Sequence, residues 1–471
     1  MEVIIPIFAG VLVNIIDIKY SGIPISDVDK LTQFFLNKFG TGDRELLCII
    51  ILIGILVILM ACLSLLCGYL SGKHCAKASA GFAKNIREAQ FYNIQKFSFS
   101  NIDKFSMSSL LTRLSSDIMH VRMTFQMVIR TAVRSPLMLI LSLISTLTIS
   151  PKLSLIFLLI VPILGIGLII ISTLAHPIFE KVFYKYDDLN QVVKEKFRCI
   201  RVVKSFVKEE DETEKFTKVS NSIKNDFIKA EKILAFNSPL MQFSVYVTLL
   251  CISFIGAKLI WGNTGLSVGN LSTIITYASL ILNSLMMLSF IYVTYIISKP
   301  SMERIYEILI EEPTIKNPEN PVMEVENGDI EFKNVSFSYS GNKEKLALKN
   351  ASLKIKSGQT IGILGGTGSA KSTLVQLIPR LYEATEGEVL VAGRNVKEYD
   401  LSVLRDSVSM VLQKNILFSG TIKDNMRWGK EDATDEEIIN ACKISQADEF
   451  ISQFPDKYDT YIEQGGSNVS G

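Results

Sequence analysis

Gly365-Gly366-Thr367-Gly368-Ser369-Ala370-Lys371-Ser372-Thr373 is the stretch on which the reading of this 471-residue chain turns. It follows an apolar run, Thr360 to Leu364, read as a buried strand, and it opens the helical spacing of Lys371 to Leu381. A triphosphate needs many donors at close range. Small residues let the backbone N–H groups of Gly366 to Ser372 approach it, and a helix N-terminus adds partial positive charge. In that setting Lys371 reaches the β- and γ-phosphates, and the Ser372 hydroxyl falls to Mg²⁺. One position departs from the glycine pattern, because Ala370 stands directly before the lysine. A Cβ there is costly if the backbone takes φ > 0 and adds only a methyl group if the residue is already helical. The segment Gly365 to Thr373 is therefore the expected cradle for ATP and Mg²⁺.

Two residues flank this cradle at useful places. Tyr339 ends the run Val335-Ser336-Phe337-Ser338-Tyr339 and suits stacking on adenine; taken alone it reads as a strand residue, continuing Ile330, Phe332, Val335 and Phe337. Gln413 follows another apolar strand and suits contact with Mg²⁺ and an attacking water. A lone glutamine after a strand is otherwise loop polarity.

Upstream the composition changes. Hydrophobic residues make up 48% of the chain, the mean hydropathy is +0.31, and the apolar residues lie in long blocks. The formal net charge is only +2, which gives no reason to expect a nucleic-acid partner. The 7 cysteines are scattered without metal or CxxC spacing and read as reduced structural thiols. The three histidines, His74, His120 and His176, stand far apart, so no metal site of their own is expected.

Crossing a bilayer takes about 20 apolar residues in a helix. Leu46 to Gly72, Leu153 to Phe179, Phe236 to Ala257 and Leu271 to Ser298 meet that length. Ser135 to Ser150 meets it if the span starts near Thr124 and tolerates Arg130 and Arg134 at its inner end. Met1 to Ile16 is shorter and is read as the second half of a span, which makes six with the first incomplete. Pro151-Lys152 is expected as a tight turn and Gly262 to Asn270 as a short loop. Lys73 to Thr124 and Glu180 to Lys232 are long, basic and helix-compatible, and the positive-inside rule places both in the cytoplasm. The expected organisation is a polytopic α-helical membrane domain over 1–300, then a linker over 301–328. The linker opens with a short amphipathic helix, Met302 to Ile310, and is marked by Pro313, Pro318 and Pro321. A truncated α/β P-loop ATPase domain follows over 329–471.

Taken together, the six-span domain, the proline-marked linker, Tyr339 ahead of the phosphate loop, Gln413 and the run Leu417-Phe418-Ser419-Gly420-Thr421-Ile422 resemble the ABC exporter family. Arg201-Val202-Val203-Lys204-Ser205-Phe206 and Leu111-Thr112-Arg113-Leu114-Ser115-Ser116-Asp117 resemble intracellular stretches of that family. The resemblance implies two cytoplasmic hairpins ending in coupling helices, near Ser98 to Lys104 and near Cys199 to Phe206. It implies a second half-transporter, identical or not, with each ATP held between one subunit's phosphate loop and the other's signature. That signature would begin at Ser470 and Gly471, where the chain stops. The chain is thus expected to be a fragment cut at both ends. The family's later aspartate strand, water-polarising glutamate and switch histidine have no counterpart here, so no ATPase activity is expected of this polypeptide alone.

For the full-length protein the resemblance implies an ABC-type ATPase in the plasma membrane, its ATPase domain cytoplasmic. It would export a small amphipathic or lipid-like molecule. An ATP-gated channel or regulatory membrane protein on the same scaffold is the alternative. An ion-coupled carrier is disfavoured because the span centres lack ionisable groups. Thr276, Ser279, Asn283, Met286, Phe290 and Thr294 fall along one face of the last span, where they would line a cavity or pack against a neighbouring helix.

Overall fold

The computed structural model describes residues 1–21, 28–262, 266–412 and 416–469. They form two compact units, Met1–Thr314 and Ile315–Gly471, divided within the proline-marked stretch.

The first unit contains helices and no strand among its described residues. In chain order it runs α1 (Ile5–Ser21), α2 (Lys30–Phe39), α3 (Asp43–Gln95), α4 (Phe99–Phe105) and α5 (Met107–Thr112). The π-helical turn Arg113–Asp117 leads to α6 (Ile118–Met127), and a second, Val128–Ala132, leads to α7 (Arg134–Ile149). Then come α8 (Pro151–Arg198), α9 (Ile200–Ser205), α10 (Glu209–Ala235), α11 (Asn237–Trp261) and α12 (Val268–Ile310). Among the described residues, five helical stretches are long and apolar enough to cross a bilayer, and α1, at 17 residues, falls short of the usual length. Leu155, Leu158, Leu159 and Ile163 project from α8 with more than half their surface exposed. An aqueous protein does not keep such a face bare, whereas lipid tails cover it without penalty.

The expected short helix over Met302 to Ile310 is the end of α12, which continues for 43 residues through Pro300. The tight turn also moves by one residue: Ser150 alone separates α7 from α8, and Pro151 opens α8, where its missing N–H leaves no helical bond unmade. Where α1 meets α12, the backbones touch. A Cβ on Gly269 would lie 2.0 Å from the Gly10 carbonyl oxygen. Asn14 fastens this crossing, accepting from the Gly269 N–H at 2.8 Å and donating to Asp29 at 2.6 Å. Close approach through small residues plus buried amide bonds replaces the hydrophobic effect, which lipid does not supply.

Below the spans, α8 and α10 pack as antiparallel arms, with Lys185 Nζ 2.6 Å from Asp226 and Phe179 edge-on to Phe227. The contact between the π-helical turn Arg113–Asp117 and α12 holds an ion pair whose carboxylate is buried. Asp117 is 1% exposed and accepts from Arg304 at 2.6 and 2.8 Å and from the Ser301 hydroxyl at 2.9 Å.

The second unit begins with β1 (Ile330–Phe337) and β2 (Leu348–Ile355), then α13 (Lys371–Gln376), β3 (Glu386–Val391), β4 (Arg394–Asn395) and α14 (Leu401–Asp406). It continues with β5 (Gly420–Thr421), α15 (Ile422–Met426), α16 (Asp435–Ile444), α17 (Ala447–Ile451) and β6 (Tyr461–Ile462). The main sheet is antiparallel in the order β2-β1-β3-β4. Phe332 pairs with Leu353 on one side and Val389 on the other, and its ring joins Val335, Phe337, Val391, Tyr399 and Leu404 in the core.

Two expected strands are absent. Thr360 to Leu364 pairs with no strand among the described residues, and Leu364 is 96% exposed. The run before Gln413 behaves alike, with Val411 at 87%. A strand exists only through its ladder, so an apolar run without a neighbour stays extended and uncovered. The expected helix over Lys371 to Leu381 is also shorter, giving way to turns after Gln376.

Candidate functional site

The glycine-rich loop runs from Gly365 into α13. Gly368 takes φ +82°, a conformation that side chains resist. A Cβ on Gly366 would meet nothing within 4 Å, whereas one on Gly365 would lie 2.6 Å from Ser369 Oγ. The loop is thus tight on its inner side and open on the outer. Ala370 answers the question its Cβ raised: it is left-handed, at φ 60° and ψ 25°, directly before the helix. Left-handed backbone costs a non-glycine residue roughly 1–2 kcal/mol.

Lys371 Nζ curls back over the loop and donates to the carbonyls of Gly365 and Gly366, each at 2.8 Å. These bonds hold the ammonium beside the loop's open side. Ser372 is exposed at the helix start, and Thr373 is buried behind it. Only six residues of helix follow, so the ammonium and the loop N–H groups outweigh a helix dipole here. The donor set suits an anion with several oxygens, and nothing in it suits a cation other than the Ser372 hydroxyl. With a triphosphate bound, Mg²⁺ brings its own phosphate ligands, so one hydroxyl is an adequate contribution.

Tyr339 stands just past β1 with 53% of its surface exposed. Its hydroxyl lies 2.8 Å from that of Thr373. Phe337 and Tyr382 meet its ring edge-on, at centroid distances of 4.8 and 5.2 Å. The structure therefore brings Tyr339 to the phosphate loop. Gln413, Ser470 and Gly471 lie outside the described residues.

In the first unit, each of the two stretches suggested for coupling helices holds a short helix. α4 has Ser98 at its N-cap, and α9 lies between Cys199 and Phe206. α4 is fastened to the chain leaving α12. Asn101 Nδ2 donates to a Glu311 oxygen at 2.9 Å and to the Glu312 carbonyl at 3.0 Å, while Lys104 Nζ reaches the other Glu311 oxygen at 2.7 Å. The Lys104 hydrogen bond, helped by Asn101, holds the Glu311 carboxyl below the usual glutamate range. Ser98 also bonds the Thr314 hydroxyl. Sequence spacing gave no sign of these contacts, which join residues about 210 apart.

The stripe expected along the last span divides between cavity and packing. Of its residues, Asn283 lines a cavity together with Leu280, Ser284 and Met287, while Met286 packs against a buried cluster around Leu282. The Thr276 and Thr294 hydroxyls bond carbonyls of their own helix. Arg130 and Arg134 line the same cavity.

Comparison with known proteins gives two family matches: an ABC transporter transmembrane region over residues 3–285 and an ABC transporter region over residues 348–471. An uncharacterized ABC transporter ATP-binding protein of Bacillus subtilis, YfiB, is 34% identical over 418 residues, covering 89% of this chain and 72% of the relative. A second from that organism, YknU, is 31% identical, covering 77% of this chain and 62% of its own length. The ATP-dependent permease MDL1 of Candida albicans is 34% identical over 60% of this chain and 41% of its own. Among solved structures, a bacterial Atm1-family ABC exporter with ATP bound superposes at a TM-score of 0.78. It shares 20% identity, over 98% of this chain and 80% of that one, and so speaks for the fold.

Proposed function

Because the chain belongs to the ABC transporter family and joins that family's membrane region to its ATPase region, we propose that it is one half of an ATP-driven exporter. The observation that carries this reading is Lys371, held by two carbonyls over an open glycine loop in the same chain as five apolar spans. ATP is the fuel. Gly365 to Thr373 receives its phosphates, with Lys371 toward the β- and γ-phosphates, Ser372 and Gln413 toward Mg²⁺, and Tyr339 under the adenine. Mg²⁺ supplies neutralisation of the phosphate oxygens. Two such halves, identical or different, form the pump, and Ser470 and Gly471 begin the segment each offers to its partner's ATP. α4 and α9 pass the resulting motion to the spans. The cargo is a small amphipathic or lipid-like molecule, and the home is the cell membrane, with the ATPase on the cytoplasmic side.

The test is ATP-dependent uptake of an amphipathic dye by inverted membrane vesicles containing the assembled transporter. Uptake abolished by Lys371→Ala supports the pump; ATP-dependent ion conductance without dye movement identifies a gate instead.

A further inference from the structure

The membrane unit holds a cavity of about 650 Å³ between the start of α1, the α6–α7 stretch and α12. That volume is in the range of sites for small organic molecules. Its lining carries two arginines, Arg130 and Arg134, against one carboxylate, Glu2. Arg134 Nη2 donates to both Glu2 oxygens at 2.6 Å, which leaves that pair close to neutral. Arg130 is exposed, and no ion pair or hydrogen bond of its side chain occurs among the described residues. The lining is therefore positive by one charge.

A guanidinium within a span is tolerated where it faces water or a counter-ion, and such residues are usually functional. The backbone adds a second, independent sign. Arg130 sits in the π-helical turn Val128–Ala132, and such turns are rare and gather at functional sites. Around the charges the wall is soft and apolar. Met127 and Met138 are flexible, polarisable side chains that adapt to varied shapes, and Asn283 adds one amide. Bare helix packing needs neither an unpaired arginine nor an opened turn.

We propose that this cavity receives an organic anion with an apolar body, its acidic head on Arg130 and its body against Met127 and Met138. Glu2 occupies Arg134 and sets how strongly the second guanidinium joins in. The inference rests on the exporter reading and names the class of its cargo. The acidic head belongs either to a membrane lipid or to a soluble amphipath, and the chemistry of recognition is shared.

The experiment uses the assembled transporter in nanodiscs of zwitterionic lipid and three probes with one apolar body: pyrenebutyrate, pyrenebutanol and pyrenebutylammonium. Fluorescence anisotropy is expected to show the carboxylate binding about tenfold more tightly than the alcohol, as a charge-assisted bond implies, with the ammonium weakest. Arg130→Gln should remove that preference. Glu2→Gln, which frees Arg134, should strengthen it several-fold. Opposite shifts cannot come from a common folding defect. Adding phosphatidylglycerol to the discs separates the sources: competition with pyrenebutyrate identifies a lipid head, and its absence a soluble anion, and both support the site. Equal binding of the three probes, or a preference untouched by either substitution, would overturn it. If wild-type discs show Lys371-dependent ATP turnover without head preference, this inference fails and the pump stands. Head preference without ATP-driven transport leaves the site and removes the pump.

Discussion

The Tyr339 hydroxyl lies 2.8 Å from the hydroxyl of Thr373, which ends the phosphate-loop motif. One ring is thereby tied at its tip to the loop and packed at steep angles against Phe337 and Tyr382. Its exposed surface is what remains for a base. Tyr339→Phe keeps that surface and is expected to change ATP affinity less than threefold. Tyr339→Ala removes it and should weaken binding about tenfold, the usual scale of base–aromatic stacking. Titration with a fluorescent ATP analogue distinguishes them, and equal losses would assign the role to the hydroxyl.

Ala370 makes a prediction of the opposite sign. Its φ of 60° strains a Cβ that glycine lacks. Ala370→Gly should stabilise the second unit by about 1 kcal/mol, a rise of roughly 2–4 °C in melting midpoint. Ala370→Val should lower it, since branching at Cβ worsens the same clash. Differential scanning fluorimetry reads both, and a glycine variant that melts lower would refute the strain.

Much of this architecture was legible because lipid imposes a crude rule: long apolar blocks span, and basic stretches between them do not. What the chain hid were features that depend on distant partners. Thr360 to Leu364 has a strand's composition, yet a strand requires a neighbour, and none pairs with it among the described residues. The handedness of Ala370 is a backbone property that the motif posed as a question. The Asp117–Arg304 pair, 187 residues apart, has no local signature. The stripe along α12 left cavity lining and helix packing open, because a row of polar residues does not say which neighbour it meets.

The Asp117–Arg304 pair should be needed to hold α12 against the turn that leads into α6. Asp117 is buried, and removing one partner of such a pair costs about 3–5 kcal/mol when both are enclosed. Arg304 is 36% exposed on its side chain, so about 2 kcal/mol is the fairer expectation. Asp117→Asn should lower the melting midpoint, and the double exchange Asp117→Arg with Arg304→Asp should recover part of it. No recovery would mean that packing, not charge, holds the contact.

Acid should loosen α4. Lys104 and Asn101 hold the folded Glu311 carboxyl below its unfolded value. Its contribution is therefore complete above the unfolded value and is lost as pH falls through the depressed folded one. Hydrogen exchange over residues 98–105 should accelerate across that window in the native protein. In Glu311→Gln the same segment should exchange faster at neutral pH and show little further change on acidification. A Gln variant with the native acid profile would assign the transition to another group.

Gly269→Ala should be severe for its size. The added methyl would sit 2.0 Å from the Gly10 carbonyl oxygen, so α1 must move away from α12. Loss of detergent-stable protein is expected, and normal yield would show that the two helices slide freely.

α12 has a mechanical meaning beyond its packing. From Asn283 beside the cavity to its last residue, Ile310, it is one continuous rod of about 40 Å at 1.5 Å per residue. A tilt of about 10° at the cavity end would sweep the far end by roughly 7 Å over that length. A molecule in the proposed site that nudged the wall would thus be geared up into a stroke of several ångströms at the far end of the helix. The gearing works in reverse as well: whatever grips the lower end of α12 has leverage on the cavity above.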